Sequence, residues 1–432
     1  MRRIAMVSEH ASPLAQAGSI DCGGQNIYVA NVARQLARQG HQVDVFTRLD
    51  SPSLPTELEW DKNVRIVHVP AGPARQLPKE DLLPHMNAFG SFMHHYFAQR
   101  DEAYDLIHAN FFMSALAALP VARTWQIPLA VTFHALGRVR RQHQAEADRF
   151  PDARFAIEDD IVRNANRIIA ECPQDQRDLV ELYTADPRHI RMVPCGFDLA
   201  EMAPMDTRLA RAMLGWERDT FYILQLGRMV PRKGVDNVIQ ALAILRNRCG
   251  INARLCVVGG NTFHPCEVAT PELGRLKVIA RNEGVLEFVD FIGRRGRTHL
   301  RRYYCAADVF VSTPWYEPFG ITPVEAMACA RPVVGSDTGG IRYTVVDGKT
   351  GFLVPPRSPE ALAARLATLA HDSALALRMG KAGANRANTM FTWERVGSQL
   401  ATVFEEMCRQ TDESATLSRH PANMPIAAQA GR

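Results

Sequence analysis

Short apolar runs alternate with segments of helical periodicity along most of the chain. The run "RIAMVS" (3–8) is typical of a buried strand, and segment 23–40 places Ile27, Ala30 and Ala33 on one helical face. Further runs that we interpret as strands lie at 41–47, 64–70, 104–110, 127–134, 166–172 and 189–194. This alternation predicts a parallel sheet that is covered by helices on both faces.

The alternation begins again after the segment 196–218. Here the predicted strands are 221–227, 253–260, 287–293, 308–313, 331–337 and 351–355. The sequence therefore predicts an α/β protein with two doubly wound domains in tandem, which we place at 1–200 and 201–390. A last helix, 391–410, is expected to cross back to the first domain, and the polar tail 411–432 is expected to be disordered because it has little apolar surface to bury.

Composition and charge narrow the class of protein. The 432 residues are 47% apolar and 22% charged, and 50 basic residues nearly balance 46 acidic ones, which argues against a nucleic-acid binder. Nine scattered cysteines without a Cys-x-x-Cys pair indicate reduced thiols in a cytoplasmic protein. No window approaches the length of a membrane-spanning helix, so we expect no transmembrane segment, while peripheral membrane contact and the oligomeric state stay open.

Candidate phosphate-binding groups follow strands, at the sheet edge where α/β domains bind ligands. Gly24 opens the first helix, whose free N–H groups favour an anion, although a flexible loop before a helix is an alternative. Arg228 and Lys233 follow the strand 221–227, and two cations at a strand end suit a diphosphate and the charge that grows on it. The alternative there is a solvated basic turn.

Two acids, Glu317 and Glu325, follow the strand 308–313 in a loop and at the start of a helix. Carboxylates accept hydrogen bonds from sugar hydroxyls, so one acid for a hexose and one for a ribose would grip both ends of a nucleotide sugar. The alternative is a capping carboxylate and a solvated helix residue. Backbone N–H groups that would point to the same place belong to Phe319, Gly320, Ile321 and Thr322.

Two further features allow both a functional and a structural interpretation. His134 ends the strand 127–134, and a lone histidine in that position is either structural or catalytic. The basic run 294–302 is interpreted as a solvated or phosphate-facing patch, because the balanced net charge does not favour nucleic-acid binding.

Together these segments resemble the retaining glycosyltransferases of family 4, which have the GT-B architecture of two Rossmann-like domains facing across a cleft. The resemblance is carried, in family order, by "GGQNIYVANVARQLARQGHQVDVFT", "GRMVPRKG", "VVGG", "FIGRR", "YEPFGITPVEAMACARPVVGSDTGG" and "DGKTGFLVPP". The stretch "SEHASPLAQAGSIDCGGQNIYV" is similar to sucrose-phosphate synthases and to the inositol-phosphate N-acetylglucosaminyltransferases of mycothiol synthesis.

The resemblance implies roles for the candidate residues. Arg228, Lys233 and the N–H of Gly24 would hold the donor diphosphate, Glu325 the ribose, and Glu317 the transferred sugar. Catalytic roles are implied for His134, Arg228, Lys233 and Glu317. Donor binding is implied for Gly24, Arg228, Lys233, Gly259, Arg294, Phe319, Gly320, Ile321, Thr322 and Glu325.

The implied reaction is hexosyl transfer, with retention, from a nucleotide-diphosphate sugar, which we expect to be a UDP-sugar. No side chain obviously serves as the nucleophile of a double displacement, so front-face attack is expected, with the leaving phosphate taking the acceptor proton. Because Arg228 and Lys233 would neutralise that phosphate, we expect no metal site and no obligatory cofactor beyond the nucleotide sugar itself.

The resemblance implies a small sugar or cyclitol phosphate as acceptor, held by Lys79, Thr132 and Arg154. Phe111 stands where an aromatic hydroxyl is expected, and losing that donor to a charged group costs roughly 1.5–3 kcal/mol. Alternatives left open are a lipid-linked or polysaccharide acceptor, a nucleotide-sugar epimerase, and a non-catalytic nucleotide-sugar-binding protein.

Overall fold

The computed structural model describes residues 1–14 and 23–419, with side chains as far as residue 413. Most of the long loop before Gly23, and the tail beyond Arg419, lie outside the described residues. Within the described residues the chain forms two sheets, one of eight and one of six strands. Helices flank both sheets, as the alternating pattern predicts.

The first sheet is parallel except for one edge strand, in the order β3-β4-β2-β1-β5-β6-β7-β8. Its strands are β1 (Arg3–Val7), β2 (Gln42–Arg48), β3 (Glu57–Asp61), β4 (Val64–Val69), β5 (Leu106–Asn110), β6 (Leu129–Thr132), β7 (Arg167–Ala170) and β8 (Ile190–Met192). Its helices are α1 (Gly24–Arg38), α2 (Met86–Ala98), α3 (Phe112–Trp125), α4 (Gly137–Gln144), α5 (Ala153–Asn164) and α6 (Pro173–Tyr183). The strands β1 and β5 to β7 are almost fully buried, which their near-continuous apolar sequences explain.

The second sheet is wholly parallel, in the order β11-β10-β9-β12-β13-β14. Its strands are β9 (Phe221–Leu226), β10 (Ala253–Val258), β11 (Val289–Gly293), β12 (Val309–Ser312), β13 (Val333–Ser336) and β14 (Gly351–Val354). Its helices are α7 (Thr207–Leu214), α8 (Val235–Asn247), α9 (Pro271–Asn282), α10 (Arg297–Ala306), α11 (Ile321–Ala328), α12 (Ile341–Thr344), α13 (Pro359–His371) and α14 (Ser373–Met390). The strand order changes direction between β9 and β12, which makes this edge a topological switch point.

The last helix, α15 (Trp393–Arg419), returns to the first domain and packs against α1. Phe404 lies beside the ring of His108, with 5.3 Å between ring centroids. The expected start of a disordered tail at Thr411 is wrong, because the helix continues to Arg419. Residues 411–419 contain good helix formers and no proline or glycine, so nothing in them stops the helix.

The edge strand β3 was not predicted from the pattern. Its sequence "ELEWD" alternates charged residues with Leu58 and Trp60, and it pairs antiparallel with β4 through a short turn at Asn63. Among the described residues, no helix combines the length and the apolar character that a membrane crossing requires.

Candidate active site

A cavity of about 350 Å³ lies between the two domains, where the carboxyl ends of strands from both sheets meet. Residues of both domains line it, so each domain alone would offer only an open surface. Thirteen of the fifteen residues predicted to belong to the site line this cavity: Gly24, Lys79, His134, Arg228, Lys233, Gly259, Arg294, Glu317, Phe319, Gly320, Ile321, Thr322 and Glu325.

Glycine is required at one point of the cavity wall. Gly259 directly follows β10 and has a φ of 151°. A Cβ atom there would lie 1.9 Å from the carbonyl oxygen of Gly227, so no other residue fits without moving the backbone. The backbone at this strand end therefore faces the cavity without a side chain, and a ligand can approach it closely.

Lys233 and Glu317 form an ion pair inside the cavity. The Lys233 Nζ donates to Glu317 Oε2, and each side chain is 16% exposed. Burial would raise the pKa of Glu317, but the cations of Lys233 and Arg232 lower it below its usual value. Burial lowers the pKa of Lys233, and the Glu317 carboxylate opposes that effect. The pair thus places a partly buried cation and a partly buried anion side by side at the ends of β9 and β12.

Glu325 is held firmly by the neighbouring helix α10. Its Oε1 accepts from Arg297 Nη2 at 2.9 Å, and its Oε2 accepts from the Tyr304 hydroxyl at 2.8 Å. Arg297 also donates to Glu201 at 2.7 Å. With a side chain that is only 2% exposed, Glu325 presents a fixed carboxylate edge at the cavity wall.

His134 lies at the first-domain side of the cavity, beyond the end of β6, with a φ of 57°. Its Nδ1 lies 2.8 Å from Glu171 Oε1, and its Nε2 lies 3.0 Å from Asn110 Oδ1. Glu171 follows β7 as His134 follows β6, so the two neighbouring strand ends bring the histidine and the acid together.

The first-domain wall also contains two basic side chains and a second histidine. Lys79 and Arg140 both line the cavity, and Arg140 donates to Asp148 at 2.8 Å. His10 lies next to Phe111, with 5.1 Å between ring centroids, and its Nδ1 lies 2.7 Å from Glu9 Oε1. This wall therefore combines cations, hydrogen-bonding groups and the aromatic ring of Phe111.

Thr132, which was predicted to bind the acceptor, is buried in the first domain. Thr132 is the last residue of β6, fully buried, and its Oγ1 lies 2.9 Å from Nε2 of the buried His108. It does not line the cavity. A strand alternates its side chains between two faces, and Thr132 faces the interior of the sheet while the cavity lies beyond the strand end.

Arg154, which was predicted to bind the acceptor, is also buried in the first domain. The side chain is 1% exposed, pairs with Glu158 at 2.7 Å and donates to the Ala135 carbonyl at 2.5 Å. Its guanidinium lies 4.5 Å above the ring of Phe112. The i,i+4 pair with Glu158 and the packing on aromatic rings turn Arg154 into the core, so it does not line the cavity.

Several cavity residues were not predicted from the sequence. His10 and Glu171 follow β1 and β7, so the same strand-end rule that selected His134 contains the signal for both. Arg140 and Arg297 carry no such signal, since each is one of several arginines in a basic helical segment. Only the packed structure shows which arginine of each segment faces the cavity.

Comparisons with known proteins agree with this architecture. Residues 22–201 match the family model described as Glycosyltransferase Family 4, and residues 206–386 match the model described as Glycosyl transferases group 1. The chain therefore belongs to the GT-B glycosyltransferases of this group, and it is an enzyme of the hexosyl-transferring class.

Individual relatives and solved structures are similar to this chain over most of its length. The chain is 38% identical over 422 residues to the D-inositol 3-phosphate glycosyltransferase of Kineococcus radiotolerans, covering 94% of this chain and 95% of the relative. Among solved structures, sucrose-phosphate synthase from Thermosynechococcus elongatus has a TM-score of 0.87 at 32% identity, covering 95% of this chain and 100% of that one. HepE of Anabaena, solved with UDP and glucose, shares the fold with a TM-score of 0.71 at 20% identity, covering 94% and 100%.

Proposed function

We propose that this enzyme transfers a hexosyl group, with retention at the anomeric carbon, from a nucleotide-diphosphate sugar to an inositol phosphate. The observation that carries the proposal is the cavity between the domains, which is lined by cations and acids from separate strand ends. The names of the curated relatives, D-inositol 3-phosphate glycosyltransferases, support the acceptor class.

The donor would bind on the second-domain side of the cavity. Arg228 and Lys233 would neutralise the diphosphate, together with the N–H groups at the start of α1 and α11. Glu325, fixed by Arg297 and Tyr304, would accept hydrogen bonds from the ribose hydroxyls. We expect the donor to be a UDP-sugar, and the assay described below compares uracil with adenine and guanine as the base.

The acceptor would bind on the first-domain side. Lys79 and Arg140 supply the positive charge that an inositol phosphate needs, and His10 can bind a ring hydroxyl. The side chains of Thr132 and Arg154 do not line the cavity, so this proposal gives them no direct acceptor contact. Phe111 lines the cavity but brings no hydroxyl, so Lys79 and Arg140 would carry the phosphate binding.

Bond making and breaking would occur on one face of the donor sugar. The bond from the anomeric carbon to the diphosphate oxygen breaks, and a bond to the acceptor hydroxyl oxygen forms. The proton of that hydroxyl passes to the departing diphosphate, which Arg228 and Lys233 stabilise as its charge grows. Glu317 would align the sugar, since its carboxylate lies next to Lys233 at the same wall.

A transfer assay with a matched acceptor panel tests the proposal. UDP-, ADP- and GDP-sugars are first ranked by the thermal stabilisation that their nucleotide diphosphates give. The best donor is then offered inositol 1-phosphate, inositol 3-phosphate, free inositol and fructose 6-phosphate, with product mass and anomeric configuration as readouts. We expect an α-linked glycosyl inositol phosphate from an α-linked donor.

The panel also separates the alternatives. Preference for fructose 6-phosphate would favour a sugar-phosphate acceptor, as the likeness to sucrose-phosphate synthase suggests. Conversion of the donor sugar without any acceptor would indicate an epimerase. Inversion at the anomeric carbon would contradict the proposed reaction geometry, and donor binding without turnover on any acceptor would contradict transfer to a small phosphate.

A further inference from the structure

The environment of His134 differs from that of an ordinary catalytic base. A histidine base needs one ring nitrogen with a free lone pair. Here both ring nitrogens face oxygen atoms: Nδ1 faces Glu171 Oε1 at 2.8 Å, and Nε2 faces Asn110 Oδ1 at 3.0 Å. The protonation state of the ring depends on whether both oxygens accept a hydrogen bond from it.

The orientation of the Asn110 amide is fixed by its other contacts. Its Nδ2 lies 3.4 Å from the carbonyl oxygens of Val7 and His108. Carbonyl oxygens only accept hydrogen bonds, so the amide nitrogen belongs on their side and the amide oxygen belongs on the side of His134. An amide oxygen also only accepts, and Nε2 of His134 must therefore carry a hydrogen.

The contacts of Glu171 favour an ionised carboxylate, which places a hydrogen on Nδ1 of His134 as well. The Glu171 side chain is 3% exposed, and burial alone would raise its pKa, yet ion pairing with His134 and the Cys195 thiol hydrogen bond lower it below its usual value. The same oxygen, Oε1, accepts from Cys195 Sγ at 3.0 Å. A buried carboxylate whose only hydrogen-bond partner is a neutral thiol has a large desolvation free energy. A cationic ring at His134 would compensate for it.

The other groups around this pair do not supply the balancing charge. On β5, burial lowers the pKa of His108 to about 3, so that ring is neutral. On α1, the hydroxyl of Tyr28 stays protonated because burial raises its pKa, and its ring meets His134 edge-on at 4.7 Å. On α6, burial and the Glu171 charge raise the pKa of Asp175 to about 8, so it is largely protonated at neutral pH. The acid of the second domain, Glu317, is already paired with Lys233.

We infer that His134 is held as an imidazolium and that Glu171 is the positioning residue that holds it. The ring then presents positive charge at the cavity and has no lone pair for the acceptor proton. Only the consequence for catalysis rests on the proposed glycosyl transfer. In that reaction His134 would act as a fixed cation near the departing diphosphate. The acceptor proton must then pass to the diphosphate itself.

The protonation state can be measured without any activity. In the wild-type enzyme with ¹⁵N-labelled histidines, the His134 signals are assigned by their loss in His134→Asn. We expect both His134 nitrogens to show the chemical shift of protonated nitrogens at neutral pH. One protonated and one unprotonated nitrogen at neutral pH would overturn the inference, whatever reaction the enzyme catalyses.

Glu171→Gln tests the positioning role, because glutamine keeps the acceptor oxygen and removes the charge. We expect kcat to fall by roughly tenfold, the factor that one lost charge-assisted hydrogen bond gives, while the donor KM changes little. The variant should also lose activity as pH rises through about 6.5, as a now ordinary histidine gives up its proton. Wild type should show no such step.

Cys195→Ala is the matched control, since it removes a neutral donor from the same carboxylate oxygen and leaves the charge pair intact. Its pH profile should match that of wild type. If Glu171→Gln lowers activity with an unchanged pH profile, Glu171 is only structural and the inference is wrong. A failed search for any donor or acceptor would count against the proposed function, but it would leave the nitrogen shifts to decide the state of His134.

Discussion

The proposed roles of Lys233 and Glu317 can be tested directly by substitution. Lys233→Ala removes the cation proposed for the diphosphate and leaves the 16%-exposed Glu317 carboxylate without its counterion. We expect the donor KM and the Kd for its nucleotide diphosphate to rise by roughly tenfold to hundredfold, the range for a lost charge-assisted contact. Glu317→Ala should mainly lower kcat. Calorimetry with the nucleotide diphosphate and steady-state kinetics measure the two effects separately.

Arg254→Ala is the control for that pair of variants. Arg254 pairs with Asp290 at 2.8 Å in the same domain, and both side chains are partly exposed, so the substitution removes an arginine charge away from the cavity. Donor binding should stay within a factor of two of wild type, a rough limit for a distant surface change. Equal, small effects for Lys233→Ala and Glu317→Ala would contradict the assigned roles.

Asp175 gives a prediction about the free energy of unfolding. Because burial and the Glu171 charge raise its pKa to about 8 in the folded protein, the folded state binds a proton that the unfolded chain releases above about pH 4. Stability is therefore lost as pH rises from about 4 to about 8. Asp175→Asn keeps an oxygen to accept from the Glu171 N–H and should be more stable than wild type, increasingly so up to pH 8.

A second aspartate on the neighbouring helix should show the opposite sign. The hydrogen bonds from Arg138 to Asp159, at 2.6 and 2.8 Å, lower the pKa of Asp159. Its contribution is present above the unfolded value and is lost as pH falls, so Asp159→Asn should be less stable than wild type at neutral pH and equal to it in acid. Thermal unfolding midpoints against pH measure both variants, and parallel curves would contradict the linkage.

The sequence predicts where a side chain lies when the course of the backbone fixes its position. Lys233, Glu317 and His134 follow strands, and the meeting of parallel strand ends is a property of the fold that the pattern contains. Thr132 and Arg154 do not line the cavity because packing sets the direction of each side chain, through the faces of β6 for Thr132 and through Glu158 and the aromatic rings for Arg154. The i,i+4 spacing of Arg154 and Glu158 allows their pairing, but the burial of both Thr132 and Arg154 depends on the folded structure.

Between elements, a ring stack joins α4 of the first domain to the loop after β12 of the second. The rings of His143 and Tyr316 lie 5.1 Å apart at an interplanar angle of 15°. Burial lowers the pKa of His143 and raises that of Tyr316, so both rings are neutral at pH 7. Tyr316 also packs against the hydrophobic core of the first domain, which makes the stack a contact between the two domains.

Removing this stack should weaken the closed arrangement of the cavity. Aromatic pairs contribute roughly 0.5–1.5 kcal/mol, which is about a twofold to tenfold change in an equilibrium. We therefore expect Tyr316→Ser to lower kcat/KM by a factor in that range, whereas Tyr316→Phe keeps the ring and should match wild type. A serine variant with wild-type kinetics at all donor concentrations would show that the stack has no role in closure.

The same elements show what the pattern predicts well. Every strand with a continuous apolar run was located, because burial on both faces leaves a strong signal in the sequence. The strand β3 was missed because Glu57, Glu59 and Asp61 are exposed and only one face is apolar. The extent of α15 was missed because polar residues can continue a helix whose preceding turns are anchored on α1.

Across both domains, two segments of chain run side by side where the domains join. Phe197 N donates to the Phe391 carbonyl at 2.8 Å, and a bridge links Phe197 to Thr392. The domains also meet where Cys172 Sγ lies 3.4 Å from the carbonyl oxygen of Pro318. We expect the domains to separate for substrate entry, with the paired segments as the hinge.

We therefore expect a bound nucleotide diphosphate to shift the enzyme toward the closed arrangement, measured as a smaller radius of gyration in small-angle scattering. Gly24→Val should oppose this shift, because a Cβ at Gly24 already lies 3.4 Å from the Ile321 side chain across the cleft. Gly23→Val is the control, since a Cβ there meets nothing within 4 Å. If saturating nucleotide diphosphate leaves the wild-type profile unchanged, the domains do not close on the donor. If both valine variants still close, the contact of Gly24 with Ile321 does not limit the approach of the domains.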